Sequence, residues 1–411
     1  MQLFSIPLYV NASYLLLGFG TSSLFGFAFW IIAARFYSPE DVGLASALIA
    51  AIGLVTSFSN LGLGMGLIRF LSHSGKNANS MINTVLTIGT LASIAATVIF
   101  VAGIRLWSPA LLFMRDNYAY LTAFVIFSIV APLVGLIGQA FIAARRAGFN
   151  LAQGLINNLL EVLLVILMAG FFHSFGLFGS QGISLCVALL FSIFLFLPRV
   201  QPGYHIFLTI NKEVLNNILR FSFANYINAL FWGAPALILP LMIVNRLGAE
   251  SNAYFSIAWA VASVPTSISG AISSSLFAEA SYDTERLGLN IQRTMKMVFL
   301  ILIPLVILIL IIGDKFLLLF AGEYSTKAST LLRILTISTI PLAINTVCFN
   351  IKRVENKLRL IIGLSIFMAV ATLGLSYLFL PWMGINGVGI AWLATQTIIA
   401  LIIGPISLKK R

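Results

Sequence analysis

Between Met81 and Ile104 the chain reads MINTVLTIGTLASIAATVIFVAGI, 24 residues without one Asp, Glu, Lys or Arg. As a helix rising 1.5 Å per residue, such a run covers roughly 36 Å, enough to cross a hydrocarbon core of about 30 Å. Runs of the same kind recur between polar or Gly/Pro-marked breaks along the whole chain. They are Asn11–Ala34, Val42–Leu67, Met81–Ile104, Tyr118–Ala143, Leu151–Phe171, Gln181–Leu197, Phe221–Val244, Ala253–Phe277, Met297–Phe320, Thr330–Asn350, Leu358–Leu380 and Ile385–Ile406. The sequence therefore reads as an all-α integral membrane protein with about twelve transmembrane helices.

Composition points the same way. Only 9% of the residues are charged and 60% are hydrophobic, with a mean hydropathy of +1.04. A water-soluble surface needs roughly a quarter of the residues charged, so much of this chain must face lipid. The net charge of +12 would suggest nucleic acid in a soluble protein. Here the charges fall between apolar runs, so no nucleic-acid partner is expected. Cys186 and Cys348 both lie within apolar runs and form no CxxC pair, which leaves them as small packing residues. Met1–Pro7 carries no basic residue, and the run after it is too long for a signal-peptide core; Asn11–Ala34 is read as a retained first span.

An even number of spans puts both termini on one side. With both inside, the inner loops hold 17 basic residues: Arg69, Lys76, Arg145, Arg146, Arg199, Lys212, Arg220, Arg286, Arg293, Lys296, Lys352, Arg353, Lys357, Arg359, Lys409, Lys410 and Arg411. The outer loops hold 7: Arg35, Arg105, Arg115, Arg246, Lys315, Lys327 and Arg333. That asymmetry predicts cytoplasmic termini in the cell membrane. The outer loops, about 5 to 15 residues each, leave no room for an external catalytic domain.

The two halves repeat. At a shift of about 210 residues, Asn245–Glu250 falls on Arg35–Glu40 and Ser256 on Ser46. At about 207, Leu318–Phe320 falls on Leu111–Phe113, Arg353 on Arg146, and Gly389-Ile390 on Gly182-Ile183. This predicts two parallel six-helix lobes, residues 1–198 and 220–411, joined by a cytoplasmic linker over 199–219. Lobes of that kind carry a substrate pathway served by rocking one against the other.

Polar residues inside the spans are the candidates for function. Gln153, Asn157 and Glu161 recur at i, i+4 and i+8 on one face of the fifth span, with Glu161 about ten residues deep. They form either an interhelical hydrogen-bond seam or, at Glu161, a proton- or cation-coupling group. Ser222, Asn225 and Asn228 share a face of the seventh span, which also carries Pro235 and Pro240. That face reads either as cavity lining on a bendable helix or as packing. Arg69 and His73 close the second span and Arg220 opens the seventh. Such guanidinium groups either hold a lipid phosphate at an inward cavity or snorkel as topology markers. Gly62-Leu-Gly64-Met-Gly66 lacks a preceding strand and a Lys-Ser/Thr, so it is a close-packing surface rather than a nucleotide loop. His73, His173 and His205 lie in separate loops without metal-ligand spacing. The sequon Asn11-Ala-Ser13 starts a span on the cytoplasmic side, where it would stay unmodified. No catalytic triad, paired-carboxylate site or P-loop is present in the sequence, so a transporter without cofactor or metal is expected rather than an enzyme.

Ala34-Arg35-Phe-Tyr-Ser-Pro39-Glu40-Asp-Val-Gly43 resembles the turn between the first two spans of polysaccharide flippases, members of the multidrug/oligosaccharidyl-lipid/polysaccharide (MOP) superfamily. Asn60–Gly62 through Leu67–Phe70, Gly322-Glu-Tyr324 and Gly384-Ile-Asn-Gly387-Val-Gly389 are similar to the same family. The near absence of polar residues before the first span departs from it. The resemblance implies two bundles around a central cavity lined mainly by the first, second, seventh and eighth spans. It implies a lipid-linked oligosaccharide, on a polyprenyl phosphate or pyrophosphate carrier, flipped from the cytoplasmic to the outer leaflet. Glycosyltransferases or a polymerase of the same route would be further partners. The basic cavity residues of such proteins match Arg69 and Arg220 here, with Arg246 at the outer end. A multidrug or organic-cation antiporter of the same superfamily is the alternative, and would call on acidic residues in the spans, of which Glu161 qualifies. A major-facilitator transporter is disfavoured because Arg69–Ser80 lacks that family's basic loop signature, and a glycan polymerase or ligase because the external loops are short.

Overall fold

The computed structural model describes residues 7–282, 287–355 and 357–408. Met1–Ile6 and, from the inner basic set, Arg286, Lys409, Lys410 and Arg411 lie outside the described residues, as do the side chains of His73 and Lys76. The described residues contain no strand. Among the described residues, twelve helices are long and apolar enough to cross a membrane. They are α1 (Pro7–Phe36), α2 (Pro39–Ser59), α3 (Ala78–Ala102), α4 (Tyr118–Ala143), α5 (Ala147–Leu167) and α6 (His173–Val200). After them come α7 (Lys212–Leu247), α8 (Ala249–Tyr282), α9 (Leu287–Leu317), α10 (Gly322–Val354), α11 (Leu358–Met383) and α12 (Ile385–Leu408).

Local chemistry sets the ends of these helices. Ser38 caps α2 by accepting from the Asp41 N–H at 3.1 Å and donating to the Asp41 carboxylate at 2.7 Å, with Pro39 at the first helical position. The Ser-Pro-Glu-Asp stretch of the flippase-like turn is thus a helix start. Just before it, the Tyr37 hydroxyl donates to the Val165 carbonyl at 2.8 Å and fastens this turn to α5. Burial, with Asp41 nearby, pushes that phenol up to about 12. Between α4 and α5, Arg145 takes a left-handed φ of 57°; its N–H bonds Ile142 O at 3.0 Å and the Arg146 N–H bonds Phe141 O at 2.9 Å. This Schellman closure lets α5 begin almost at once. Asn11 of α1 accepts the Ala147 N–H at 2.9 Å, supplying one of the partners that the start of α5 lacks within its own turn.

Several expected boundaries move. The second span is not one helix: α2 stops at Ser59, and a short helix, Leu63–Phe70, resumes after Leu61 (φ 48°) and Gly62 (φ 74°). α6 starts at His173 rather than Gln181, α7 at Lys212 rather than Phe221, α9 at Leu287 rather than Met297 and α10 at Gly322 rather than Thr330. Hydropathy registers only the lipid-facing part of a helix that continues into the polar boundary, so it cuts these short.

The chain divides into two compact units, Met1–Tyr226 and Ile227–Arg411, and the division falls within α7. Inside the first, α2 packs on α3, α4 and α6, α4 on α3 and α6, α5 on α6, and α1 on α5. Inside the second, the pairs α8–α9, α8–α10, α9–α10, α10–α12 and α11–α12 repeat the same scheme six helices later. Between α7 and α11, Ser365 Oγ donates to Asn228 Oδ1 at 2.8 Å. The fourth helix of each set is central in both. The first unit's core gathers Leu63, Leu67, Val85, Leu136, Phe141 and Ile218; the second includes Val298, Leu302, Ala343, Val347 and Ile351. Leu300, Ile311 and Leu401 are largely exposed, as lipid-facing residues should be.

The extended stretch before α7 is tied to α3 by side chains. Asn83 donates to His205 O at 2.9 Å and accepts from the Tyr204 hydroxyl at 2.7 Å; Thr84 and Thr87 accept the N–H groups of Asn211 and Thr209. Those threonines give non-helical backbone the partners that lipid cannot.

Lys352, placed by sequence among inner-loop charges, is buried at the end of α10. Its ammonium donates to Glu355 Oε2 at 3.0 Å and lies 3.5 Å from the Ile406 carbonyl of α12. Lys357 reaches the same carboxylate at 3.3 Å. Burial pushes the Glu355 carboxyl up, but the hydrogen bonds and charges of Lys352 and Lys357 outweigh it and hold the group below its ordinary value. A depressed carboxyl contributes stability above its unfolded pKa of about 4.3 and loses it as pH falls through the folded value. Glu355→Gln should therefore cost roughly 1–3 kcal/mol near pH 7. In thermal unfolding of the detergent-solubilised protein, the gap from wild type should close as the pH is taken below 4.

Candidate functional site

The break at Asn60–Gly62 builds the first feature of interest. A Cβ added to Gly62 would stand 2.7 Å from Ser222 Cβ, one on Gly66 would overlap Ile218, and one on Gly64 would meet Gln139 Cγ at 3.0 Å. The three glycines are thus a packing surface: two receive the first turns of α7 and the third receives α4. This close approach brings Phe221 beneath Arg69, whose guanidinium carbon lies 4.3 Å from that ring's centroid and 5.9 Å from that of Phe70. The two rings meet edge to face at 5.7 Å. Arg220, the chain neighbour of Phe221, is exposed like Arg69. Neither arginine pairs with a carboxylate among the described residues. Stacking on aromatic faces fixes Arg69 while leaving its N–H donors outward, a disposition suited to an anionic oxygen cluster.

The polar stripe of α5 is a seam over most of its length. Gln153 is buried and donates to Val134 O of α4 at 3.0 Å. Asn157 accepts from Ser184 of α6 at 3.0 Å and donates to Asn158 at 3.2 Å; Asn158 in turn donates to Ser22 of α1 at 3.0 Å. Three helices are thereby laced through one side-chain chain. Glu161 stands outside it, with no hydrogen-bond or ion-pair partner among the described residues. Because α5 runs Ala147–Leu167, its midpoint is Asn157, and Glu161 lies roughly 6 Å beyond it rather than at the middle.

The seventh-span face is split in use. Ser222 is fully buried against Gly62, with its hydroxyl oxygen unpartnered. Asn225 is half-buried, and Asn228 binds Ser365 within the second unit. Arg246 lies over the Tyr377 ring at 4.3 Å and not with the other two arginines. Sequence reading passed over Asn345 and Gln396, both fully buried: Asn345 Nδ2 donates to Gln396 Oε1 at 2.8 Å and to its carbonyl at 2.9 Å, joining α10 to α12. Each stands alone in its span, without the i, i+4 periodicity that made the α5 stripe visible.

A family model described as "Polysaccharide biosynthesis protein" matches residues 32–330. The chain belongs to this family. Among solved structures, the lipid II flippase MurJ in an inward closed conformation superposes with a TM-score of 0.77 at 13% identity, over 97% of this chain and 88% of MurJ. An inward-facing multidrug resistance MATE transporter of the MOP superfamily gives 0.69 at 17%, over 93% and 92% of the two chains. A MOP superfamily transporter from Pyrococcus furiosus gives 0.61 at 16%, over 98% and 96%. No curated protein sequence matches. At these identities the likeness is one of fold, and the fold is that of MOP transporters and flippases.

The glycine contacts make this packing surface testable on its own. Gly66→Val should overpack against Ile218 and cost about 1–3 kcal/mol, read as a lowered Tm. Gly26→Ala, where an added Cβ meets nothing within 4 Å, should leave Tm unchanged or slightly raised.

Proposed function

We propose that this protein flips a polyprenyl-(pyro)phosphate-linked oligosaccharide from the cytoplasmic to the outer leaflet of the cell membrane, by alternating access, for cell-surface polysaccharide assembly. The observation that carries the reading is Arg69, exposed, without a carboxylate partner and held on Phe221 and Phe70, with a second exposed and unpaired arginine, Arg220, adjoining Phe221 in the chain; these form the arginine corner. Fixed forks of this kind bind a phosphate or pyrophosphate bidentately, whereas lysines would offer only point charges. The basic asymmetry of the loops puts that corner, and both termini, on the cytoplasmic side, where a lipid-linked precursor would be loaded. The polyprenyl tail stays in lipid throughout, and no covalent step is required. The half-buried amides of Asn225 and Asn228 are the cavity-lining candidates, whereas Asn157 is taken up by the seam of α5 and α6. Glycosyltransferases or a polymerase of the same route are the expected partners.

A drug or organic-cation antiporter is favoured by one observation, the unpartnered carboxyl of Glu161 within a span. In that case Glu161→Gln would abolish drug resistance conferred by the protein; on the flippase reading, no resistance depends on it.

The decisive assay reconstitutes the protein in liposomes with a fluorescent polyprenyl diphosphate disaccharide and follows its arrival in the opposite leaflet. Arg69→Ala and Arg220→Ala should each slow flipping by roughly 10- to 100-fold, the loss expected for one charge-assisted contact. Arg69→Lys should recover only part of the rate. Variants flipping at the wild-type rate would remove the phosphate role of this corner.

A further inference from the structure

A cavity of about 60 Å³ lies wholly inside the second unit, between α8, α10 and α12. By that measure a water needs about 10–15 Å³, so the space holds on the order of four to six waters, or one sugar ring. Its walls carry Trp259 and Trp392, whose rings meet at 5.2 Å and 60°, and the hydroxyls of Ser263, Thr266, Ser338 and Thr339. Trp259 is ten residues into α8, about 15 Å from its start, so this half-open cavity lies along the spans and not at their ends.

The hydrogen-bond state of this lining is specific. Ser263, Thr266, Ser338 and Thr339 each donate their proton to a carbonyl of their own helix at 2.6 Å. Their oxygens are left as acceptors. Neither indole N–H has a hydrogen-bond partner among the described residues, so each remains an unsatisfied donor. The lining residues thus bring acceptor oxygens, two unsatisfied N–H donors and aromatic rings, and no charged side chain.

A neutral polyol answers each of these. Its hydroxyls donate to the serine and threonine oxygens and accept from the indoles, while its C–H face rests on an aromatic ring. An organic cation would gain from the aromatic rings, but would find no countercharge in the wall. We infer that this cavity is a sugar-binding subsite that receives one glycosyl residue of the transported substrate. The inference rests on the oligosaccharide reading above, yet the pocket and the arginine corner lie in separate units and can be tested apart.

The test uses the full chain in nanodiscs and saturation-transfer NMR with the methyl glycosides of glucose, galactose and N-acetylglucosamine. At least one glycoside should bind saturably. Trp392→Leu should weaken it by about tenfold and Ser338→Ala, a milder change, by a few-fold, whereas Arg69→Ala should leave it unchanged. Absence of saturable binding by all three glycosides overturns the inference. So does unaltered binding in Ser338→Ala and Trp392→Leu, or saturable binding of tetraethylammonium in place of the sugars. Glycoside binding without flipping of a lipid-linked sugar would instead count against the transport reading and leave the subsite standing.

Discussion

In hydrocarbon no solvent competes for a backbone N–H or carbonyl, so each must find its partner within the chain. That constraint makes the described spans helical. It also explains the irregular places, each of which has a replacement partner. The α4–α5 corner closes on its own carbonyls, the start of α5 borrows Asn11, and the extended run before α7 leans on Asn83, Thr84 and Thr87. The break at Asn60–Gly62 is admitted because three glycines let neighbouring helices close over it.

The same constraint makes every intramembrane polar group informative. Most are consumed by structure: Gln153, Asn157 and Ser184 lace α4, α5 and α6, and Asn345 with Gln396 joins α10 to α12. Those that remain available have a consistent chemistry. There are guanidinium groups at one end of the first unit, and a neutral wall of hydroxyl acceptors and indole donors in the second. A lipid-linked sugar has an anionic linker and neutral glycosyl groups, and it would use both kinds of surface in separate places.

Much of the fold was legible in the sequence because lipid imposes a length and a polarity that a hydropathy run records directly. The internal repeat was legible too, and the packing scheme of α2 to α6 returns in α8 to α12. What stayed hidden depended on tertiary contact. The positive φ at Leu61 lies inside an apolar run and carries no hydropathy signal, so the second span read as continuous. The stacking of Arg69 on Phe221 joins residues 152 positions apart. Lys352 looked like a loop charge because nothing local marks its burial against α12. Trp259 and Trp392 lie on different helices, and their four hydroxyl neighbours look, one at a time, like ordinary serines and threonines of a membrane helix.

The central claim is that this chain moves a lipid-linked oligosaccharide between leaflets, and the distribution of that lipid in living cells tests it most directly. Cells depleted of the protein would be spheroplasted, and the lipid-linked sugar exposed outside compared, by external glycosidase digestion, with the total after lysis. The account predicts that the glycosidase-sensitive fraction falls while the inner-leaflet pool grows. An equal division between the leaflets with and without the protein would contradict it.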